Sequence, residues 1–279
     1  DQKRSDGIWV WLLLRSKRKK IKMTEQEILK TILPDYPYYI SVDEVIDQYR
    51  HFDSLDEDSI FDIMNHGYYP TFEEYKNDTF KYGRSLYHYM LQGINTEGLK
   101  ILDIGCGRGG GTQALKNFKF KEIHACDIVD TNIEYCNRKH GEINFKVSDA
   151  MNLDYADEYF DIVINVESAH CYGSMKKFLQ EVKRVMKPNG VFLYSDISPF
   201  LEYHMNRDHY FKYIIRDDIT DNVKQACEHM YQDATKLEEG NLKSFLLGLY
   251  ENKSKIYDNR ISIFVKYICS NYPVKMNQG

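Results

Sequence analysis

The sequence predicts an α/β protein: a doubly wound parallel sheet with helices on both faces, preceded by a helical N-terminal region. Three observations predict it. From Lys100 onward, short apolar runs alternate with segments of helix length, the pattern of βαβ units. A glycine-rich stretch joins the first run to the first of those helices. Residues 24–98, by contrast, read as helices broken at "LPDYP" and "NHGYYPT".

The elements follow in order. Leu55–Asn65 reads as one helix and Thr71–Gln92 as another, with Thr71 as N-cap and Glu74 completing a capping box. "LKILDI" is the first strand and "GGTQALKNF" its helix; "EIHACDI" is the second strand, followed by a helix from Asp130 to His140. "INFKVSDA" is the third strand and "FDIVINV" the fourth. The helix "GSMKKFLQEVKRVMK" then stops at Pro188–Gly190, before "VFLYSDI" as the fifth strand. "PFLEYHMNRDHY" reads as a helix or flap over the sheet edge, and "FKYIIRDD" as the sixth strand. A long helix in "DITDNVKQACEHMYQDATKLEE" and a closing strand in "NRISIFVKYICSN" complete the chain.

At 279 residues and 43% apolar, the chain can bury a full core, and no repeat or linker divides it. A net charge of −5 argues against a nucleic-acid-binding surface. Six cysteines without CxxC pairing read as reduced, buried thiols, hence a cytoplasmic protein and no metal site. Residues 1–22 differ from the rest: eight Lys/Arg accompany two Asp, and the apolar stretch Ile8–Leu14 is too short for a transmembrane segment. They read as a leader or non-native extension, with residues 23–98 as a helical cap and 99–279 as the main domain, flap at about 197–210. The 23 tyrosines read as compositional bias rather than as an aromatic cage.

"ILDIGCGRGG" carries glycines at 105, 107 and 110 in G-x-G-x-x-G spacing. Such a loop lets backbone approach a ligand and aims helix N–H groups at it. A dinucleotide calls for an acid about 20 residues on, and Asp127 satisfies that. Asp103, two residues before Gly105, suits a cationic ligand better than a pyrophosphate. With Asp149, the sheet edge carries three carboxylates, matching a sulfonium or ammonium, a ribose diol and an adenine amine.

"ILDIGCGRGG", "CDI", "SDAMNL", "FDIVINVESAHCY" and "KPNGVFLYSDI" together resemble the consecutive motifs of class I S-adenosylmethionine-dependent methyltransferases, over roughly residues 80–270. The finer resemblance is to small-molecule and natural-product O-methyltransferases, the phthiotriol dimycocerosate methyltransferases among them, at "NVESAHCY", "MNHGYYP" and "DDITDNVKQAC". Residues 24–75 and 240–260 match only loosely. The resemblance implies a Rossmann-like sheet of seven strands, the last antiparallel, under an α-helical cap. It implies S-adenosyl-L-methionine as cofactor and S-adenosyl-L-homocysteine as product. Gly105, Cys106 and Gly107 would face the methionine portion, with Asp103 near its ammonium. Asp127 would accept from the ribose hydroxyls, Ile128 would pack on adenine, and Asp149 with Ala150 would meet the adenine amine. Tyr82 would cover the cofactor, and Asn165 would lie near the sulfonium.

Methyl transfer is an in-line displacement, so the protein aligns the acceptor and removes its proton. His170 is the candidate base for a hydroxyl acceptor, the alternative being a histidine packed under the flap. Asp196 is an orienting partner or second base, and Glu167 an acceptor contact. Cys171 carries no metal-ligand spacing, and His204 and His209 read as structural or pocket-lining. The expected acceptor is a small or lipid-like molecule. A nitrogen or carbon acceptor, an NAD-dependent oxidoreductase and a non-catalytic cofactor-binding partner are the rival readings.

Overall fold

The computed structural model describes residues 42–55, 62–63, 65–197, 211–237, 243–244, 247 and 262–269. The expected leader, the cap before Val42 and the flap histidines His204 and His209 lie outside the described residues.

Helix α1 (Val42–Leu55) comes first, then a 3-10 turn (Glu73–Tyr75) and α2 (Lys81–Leu91). Strand β1 (Lys100–Ile104) leads into α3 (Gly110–Gln113), which a 3-10 turn extends to Asn117. Next come β2 (Glu122–Asp127), α4 (Asp130–Lys139), β3 (Asn144–Val147), β4 (Phe160–Val166) and a 3-10 turn (Ala169–Cys171). Then follow α5 (Met175–Val185), β5 (Met186–Ile197), β6 (Phe211–Asp218), α6 (Thr220–Thr235) and β7 (Ser262–Cys269). The sheet order is β3-β2-β1-β4-β5-β7-β6. β1 to β5 pair in parallel, and β7 runs antiparallel between β5 and β6.

The core lies on both faces of this sheet, because alternate strand residues point to opposite sides. Ile101, Ile162, Ile164 and Leu193 pack with α2 and α6 residues on one face. Leu102, Val163, Phe192 and Tyr194 pack with Phe178, Leu179, Val182 and Val185 of α5 on the other. The spacing of those four α5 residues is the helix's apolar stripe. Ser174 caps α5 by accepting the Lys177 N–H, and Lys183 and Arg184 fall in its last turn, where cations suit the dipole.

Two elements differ from expectation. Thr71–Gln92 is not one helix: the 3-10 turn ends at Tyr75, and the Asp78 carboxylate accepts the Phe80 N–H in a local turn that competes with helix. Thr71 is therefore no cap; Phe72 precedes the 3-10 turn without any side-chain cap bond. The expected helix Leu55–Asn65 is also not found where it can be checked, since Asp62 and Ile63 are non-helical and 56–61 lie outside the described residues. The consequence is functional: a non-helical Asp62 reaches the glycine loop.

Candidate active site

Parallel register brings the carboxyl ends of β1 to β5 to one edge. Ile104 lies opposite Cys126 and Asn165, Asp127 opposite Val147, and Val166 opposite Ser195. Asp103, Asp127, Asp149, Asn165, Glu167 and Asp196 thus gather at the edge where α/β sheets place ligands.

The glycine loop is shaped by left-handed backbone. Gly105 (φ 72°), Gly107 (φ 55°) and Gly109 (φ 77°) adopt a region costly to other residues. Gly105 also has no room for a side chain, since a Cβ would fall 2.6 Å from the Tyr172 hydroxyl and closer still to Ser168 Oγ. The N–H groups of Gly105 and Cys106 donate to the Cys126 carbonyl at 2.8 and 3.0 Å, fastening the loop to β2. At the start of α3, the Gly110 N–H donates to the Asp62 carbonyl at 2.9 Å. Asp62 is buried and its carboxylate pairs with Arg84. Burial pushes its carboxyl up against the opposing pull of Arg84.

Each expected acid has defined partners. Asp103 is fully buried and accepts from Thr112 Oγ1 at 2.6 Å and the Tyr87 hydroxyl at 3.1 Å. Burial outweighs those donors and pushes its carboxyl up to about 7. Asp127 Oδ2 accepts the Gly107 N–H at 2.9 Å, and Oδ1 accepts the Val129 N–H at 2.9 Å. Asp149 Oδ1 accepts the Met151 N–H at 2.8 Å. Ile128 is half-buried beside Asp127, while Ala150 and Cys106 are buried.

At the end of β4, Asn165 is fully buried, its amide nitrogen facing the Ile104 carbonyl, Ser168 Oγ and the Tyr172 hydroxyl at 2.8–3.0 Å. Its side-chain oxygen meets no donor among the described residues. Glu167 then takes φ 48°, a left-handed conformation for a residue with a side chain. Its N–H donates to the Ser195 carbonyl at 2.7 Å, and its carboxylate accepts the His66 N–H at 2.6 Å. This turn delivers His170 to β5. The Asp196 carboxylate, fully buried, lies 2.7 Å from His170 Nδ1 and accepts the His170 N–H at 3.1 Å. Burial alone would lower the imidazole pKa. The charge of Asp196 and the hydrogen bond outweigh it and hold the ring well above its ordinary value.

His170 and Asp196 are therefore brought together, with Glu167 a few residues away bonded to His66. Tyr82 is not brought to the glycine loop. Its hydroxyl donates to Asp233 of α6 at 3.1 Å, and its ring stacks toward His229. The loop-facing tyrosine of α2 is Tyr87, roughly 140° farther around the helix, whose ring a Cβ on Gly111 would strike. Tyr87 and Asp62 carried no sequence signal, because each acts across a long separation; His66 lay inside "MNHGYYP" and Thr112 beside the glycine loop, without a role being read for either. Ser168 and Tyr172 lay inside the motif "NVESAHCY", and Gly105's tight turn was the clue to a partner beneath it.

Comparison with known proteins agrees with this geometry. Residues 102–194 match the family model described as "Methyltransferase domain". A fatty-acid O-methyltransferase of Mycolicibacterium smegmatis is 36% identical over 154 residues, covering 52% of this chain and 55% of that protein. A phthiotriol/phenolphthiotriol dimycocerosates methyltransferase of Mycobacterium tuberculosis is 36% identical over 118 residues, covering 41% of this chain and 44% of that protein. The chain thus spans about half the length of the curated relatives it matches. Among solved structures, the [4+2]-cyclase SpnF superposes with TM-score 0.62 at 17% identity, covering 81% of this chain and 95% of that one. Geranyl diphosphate C-methyltransferase from Streptomyces coelicolor, in complex with S-adenosyl-L-homocysteine, does so with TM-score 0.58 at 15% identity, covering 85% and 99%. The structural matches speak for the fold alone, and residues 102–194 of this chain match the model of a methyltransferase domain.

Proposed function

We propose that this chain transfers a methyl group from S-adenosyl-L-methionine to an oxygen of a small-molecule or lipid-like acceptor, leaving S-adenosyl-L-homocysteine. The observation that carries the reading is the His170–Asp196 pair, 2.7 Å apart at the edge where the glycine loop also lies. A proton acceptor fixed beside a backbone-lined ligand loop is what a hydroxyl acceptor requires.

The residues present fit such a cofactor. Gly105 and Gly107 leave backbone accessible at the loop. The half-buried Asp127 and Ile128 would hold ribose and adenine, and Asp149 with Ala150 the adenine amine. Asp103, Cys106 and Asn165 lie toward the methionine end, where the Asn165 oxygen still lacks a protein donor among the described residues. When bound, S-adenosyl-L-methionine supplies a methyl group already activated on a cationic sulfur. His170 then takes the acceptor's proton, and Asp196 fixes the ring's tautomer and orientation and stabilises the charge it gains. Glu167, with His66, borders the acceptor side.

A dinucleotide fits poorly. The start of α3, where a diphosphate would sit, is already closed by the Asp62 carbonyl and flanked by its carboxylate. The relatives' printed names, fatty acid and phthiotriol dimycocerosates, support a lipid-like acceptor. The same proposal takes the sheet as seven-stranded with an antiparallel last strand, the 23–98 region and the flap at about 197–210 as shaping the acceptor pocket, and the cytoplasm as its location. Titration calorimetry with S-adenosyl-L-methionine and NAD, followed by labelled-methyl transfer to fatty acids and hydroxylated lipids, tests it. Binding of NAD alone, or binding without transfer to any oxygen, would refute it.

A further inference from the structure

The third glycine of the loop is enclosed by the chain that precedes the sheet. A Cβ on Gly110 would fall 2.4 Å from the Asp62 carbonyl oxygen and 2.5 Å from Asp62 Oδ1. Both polar backbone groups of Gly110 are held from that side. Its N–H donates to the Asp62 carbonyl at 2.9 Å, and its carbonyl accepts from Arg84 Nε of α2 at 3.3 Å. Arg84 Nη2 then reaches Asp62 Oδ2 at 3.4 Å, so three residues close a ring around one stretch of backbone.

The two outer members of that ring are themselves fixed. Arg84 Nη1 meets Asp78, whose Oδ1 accepts the Phe80 N–H at 2.8 Å just before α2. Ile63 and Asn65 seat the Asp62 segment on Gly83, the neighbour of Arg84. A Cβ on Gly83 would lie 2.4 Å from Ile63 Cγ2, and Asn65 Nδ2 donates to the Gly83 carbonyl at 3.3 Å. His140 Nε2 also lies 3.9 Å from Asp62 Oδ2, but burial lowers its imidazole to about 4. That ring is uncharged near neutrality, which leaves Arg84 as the countercharge of Asp62. Asp62 Oδ1 meets no donor among the described residues, although the side chain is only 4% exposed. A buried carboxylate with an undonated oxygen costs stability, so packing does not account for an acid at this position.

We infer that Asp62 and Arg84 are positioning residues: by holding Gly110 they fix the glycine loop in the form that, on the methyl-transfer reading, receives the cofactor's methionine end. The Gly109 N–H donates to the Cys106 carbonyl at 3.0 Å, so a fixed Gly110 is passed back to Cys106 and Gly107. Each side chain acts through the backbone it holds, not by touching the ligand. Cofactor affinity is thereby coupled to how Asp62, Ile63 and Asn65 sit between α2 and the loop. A pair that only lent stability would be replaceable by apolar side chains of similar size without moving the loop.

The test uses the full chain, with S-adenosyl-L-homocysteine as the calorimetric probe, thermal denaturation, and amide hydrogen exchange of residues 103–113 without ligand. Arg84→Gln is expected to speed exchange in that segment by about tenfold or more. It should weaken the probe by about fivefold or more, since a small displacement of a binding loop is enough. Asp62→Asn keeps the backbone carbonyl and an oxygen for Arg84, and should restore both readouts to within about twofold of the wild type. Because Arg84→Gln strands the buried Asp62 carboxylate, the double variant Asp62→Leu/Arg84→Gln is measured beside it. It should recover the wild-type melting temperature and yet keep the fast exchange and the weak binding. If the double variant exchanges and binds as the wild type does, or if every loss follows the melting temperature, the inference is overturned and the methyl-transfer reading stands. If the wild-type chain does not bind the probe, the methyl-transfer reading fails, and the exchange rates alone decide whether the pair seats the loop.

Discussion

Asp196→Asn is the sharpest perturbation of the proposed chemistry. Asn is nearly isosteric, so the fully buried site keeps its shape and the His170 N–H keeps an acceptor. What changes is the partner of Nδ1 at 2.7 Å. A carboxylate there accepts the Nδ1 proton and leaves Nε2 free to take the acceptor's proton. A carboxamide can instead donate to Nδ1, which places the proton on Nε2 and disables the ring as a base. Losing a positioned base costs about 10²–10⁴-fold in rate, or roughly 2.7–5.5 kcal/mol at 1.36 kcal/mol per decade. The pH profile should move as well. In the wild type, Asp196 holds the imidazole well above its usual value, so transfer should rise with pH through a point above an ordinary histidine's. In Asp196→Asn the carboxylate's contribution is lost and burial is opposed only by the neighbouring Cys171, so the limb should move down toward the ordinary value of about 6.5. His170→Ala is a blunter probe, since it strands a buried carboxylate at a cost of about 3–5 kcal/mol. The assay is labelled-methyl transfer from pH 5 to 9, with S-adenosyl-L-homocysteine binding as the control. Equal turnover with an unmoved acid limb would refute the base assignment.

Further outcomes follow from the same contacts. Gly105→Ala should abolish cofactor binding, because its Cβ would strike Tyr172 and Ser168 from a left-handed backbone; calorimetry showing binding within tenfold of wild type would contradict this. Asp103, poised at about 7 by burial, should lose its proton when a cationic ligand arrives beside it. Binding of S-adenosyl-L-methionine near pH 7 should therefore release protons, measured by calorimetry in buffers of different ionisation enthalpy; proton uptake would contradict it. His170's raised value implies stability fully present below its unfolded value of about 6.5 and lost as pH rises through the folded value. That pH dependence of denaturant midpoints should flatten in Asp196→Asn. At Glu167, φ 48° should make Glu167→Gly more stable than Glu167→Ala by about 1–2 kcal/mol, checked by urea unfolding; the reverse order would show no strain there.

The sheet was legible because it is written locally. Each strand from "LKILDI" to "FDIVINV" is a short apolar run ending in a polar residue, and the glycine loop announces its own backbone. His170 with Asp196 was legible too, as two strand ends that parallel pairing must bring together. Failure came where long-range contact overrides local signal. Thr71 and Glu74 spell a capping box, yet Asp78 turns the chain before a helix can form through it. Tyr82 and Tyr87 are chemically alike on one helix, and only docking against α6 decides that Tyr87 faces Asp103. Asp62's carbonyl on Gly110 has no sequence signature at all, since any residue carries a carbonyl.

Docking also changes the meaning of the acidic edge. The sequence suggests carboxylates waiting for a ligand's positive charge. In the structure most of them already have protein partners: Thr112 and Tyr87 donate to Asp103, backbone N–H groups to Asp127 and Asp149, His66 to Glu167, and His170 to Asp196. A carboxylate held in place by such donors cannot swing to meet a ligand, so its position is fixed before binding. That is the cheaper arrangement for a reaction in which a cationic sulfur becomes neutral, because no dipole has to reorganise as the charge disappears. The left-handed turn at Glu167 belongs to the same arrangement. It costs about 1–2 kcal/mol of backbone strain and sets His170 against Asp196 rather than letting β4 run on. Strain at one residue and burial of several acids are costs that folding alone gives no reason to retain. Their concentration at the ends of β1, β2, β4 and β5 supports that edge as the place proposed for methyl transfer.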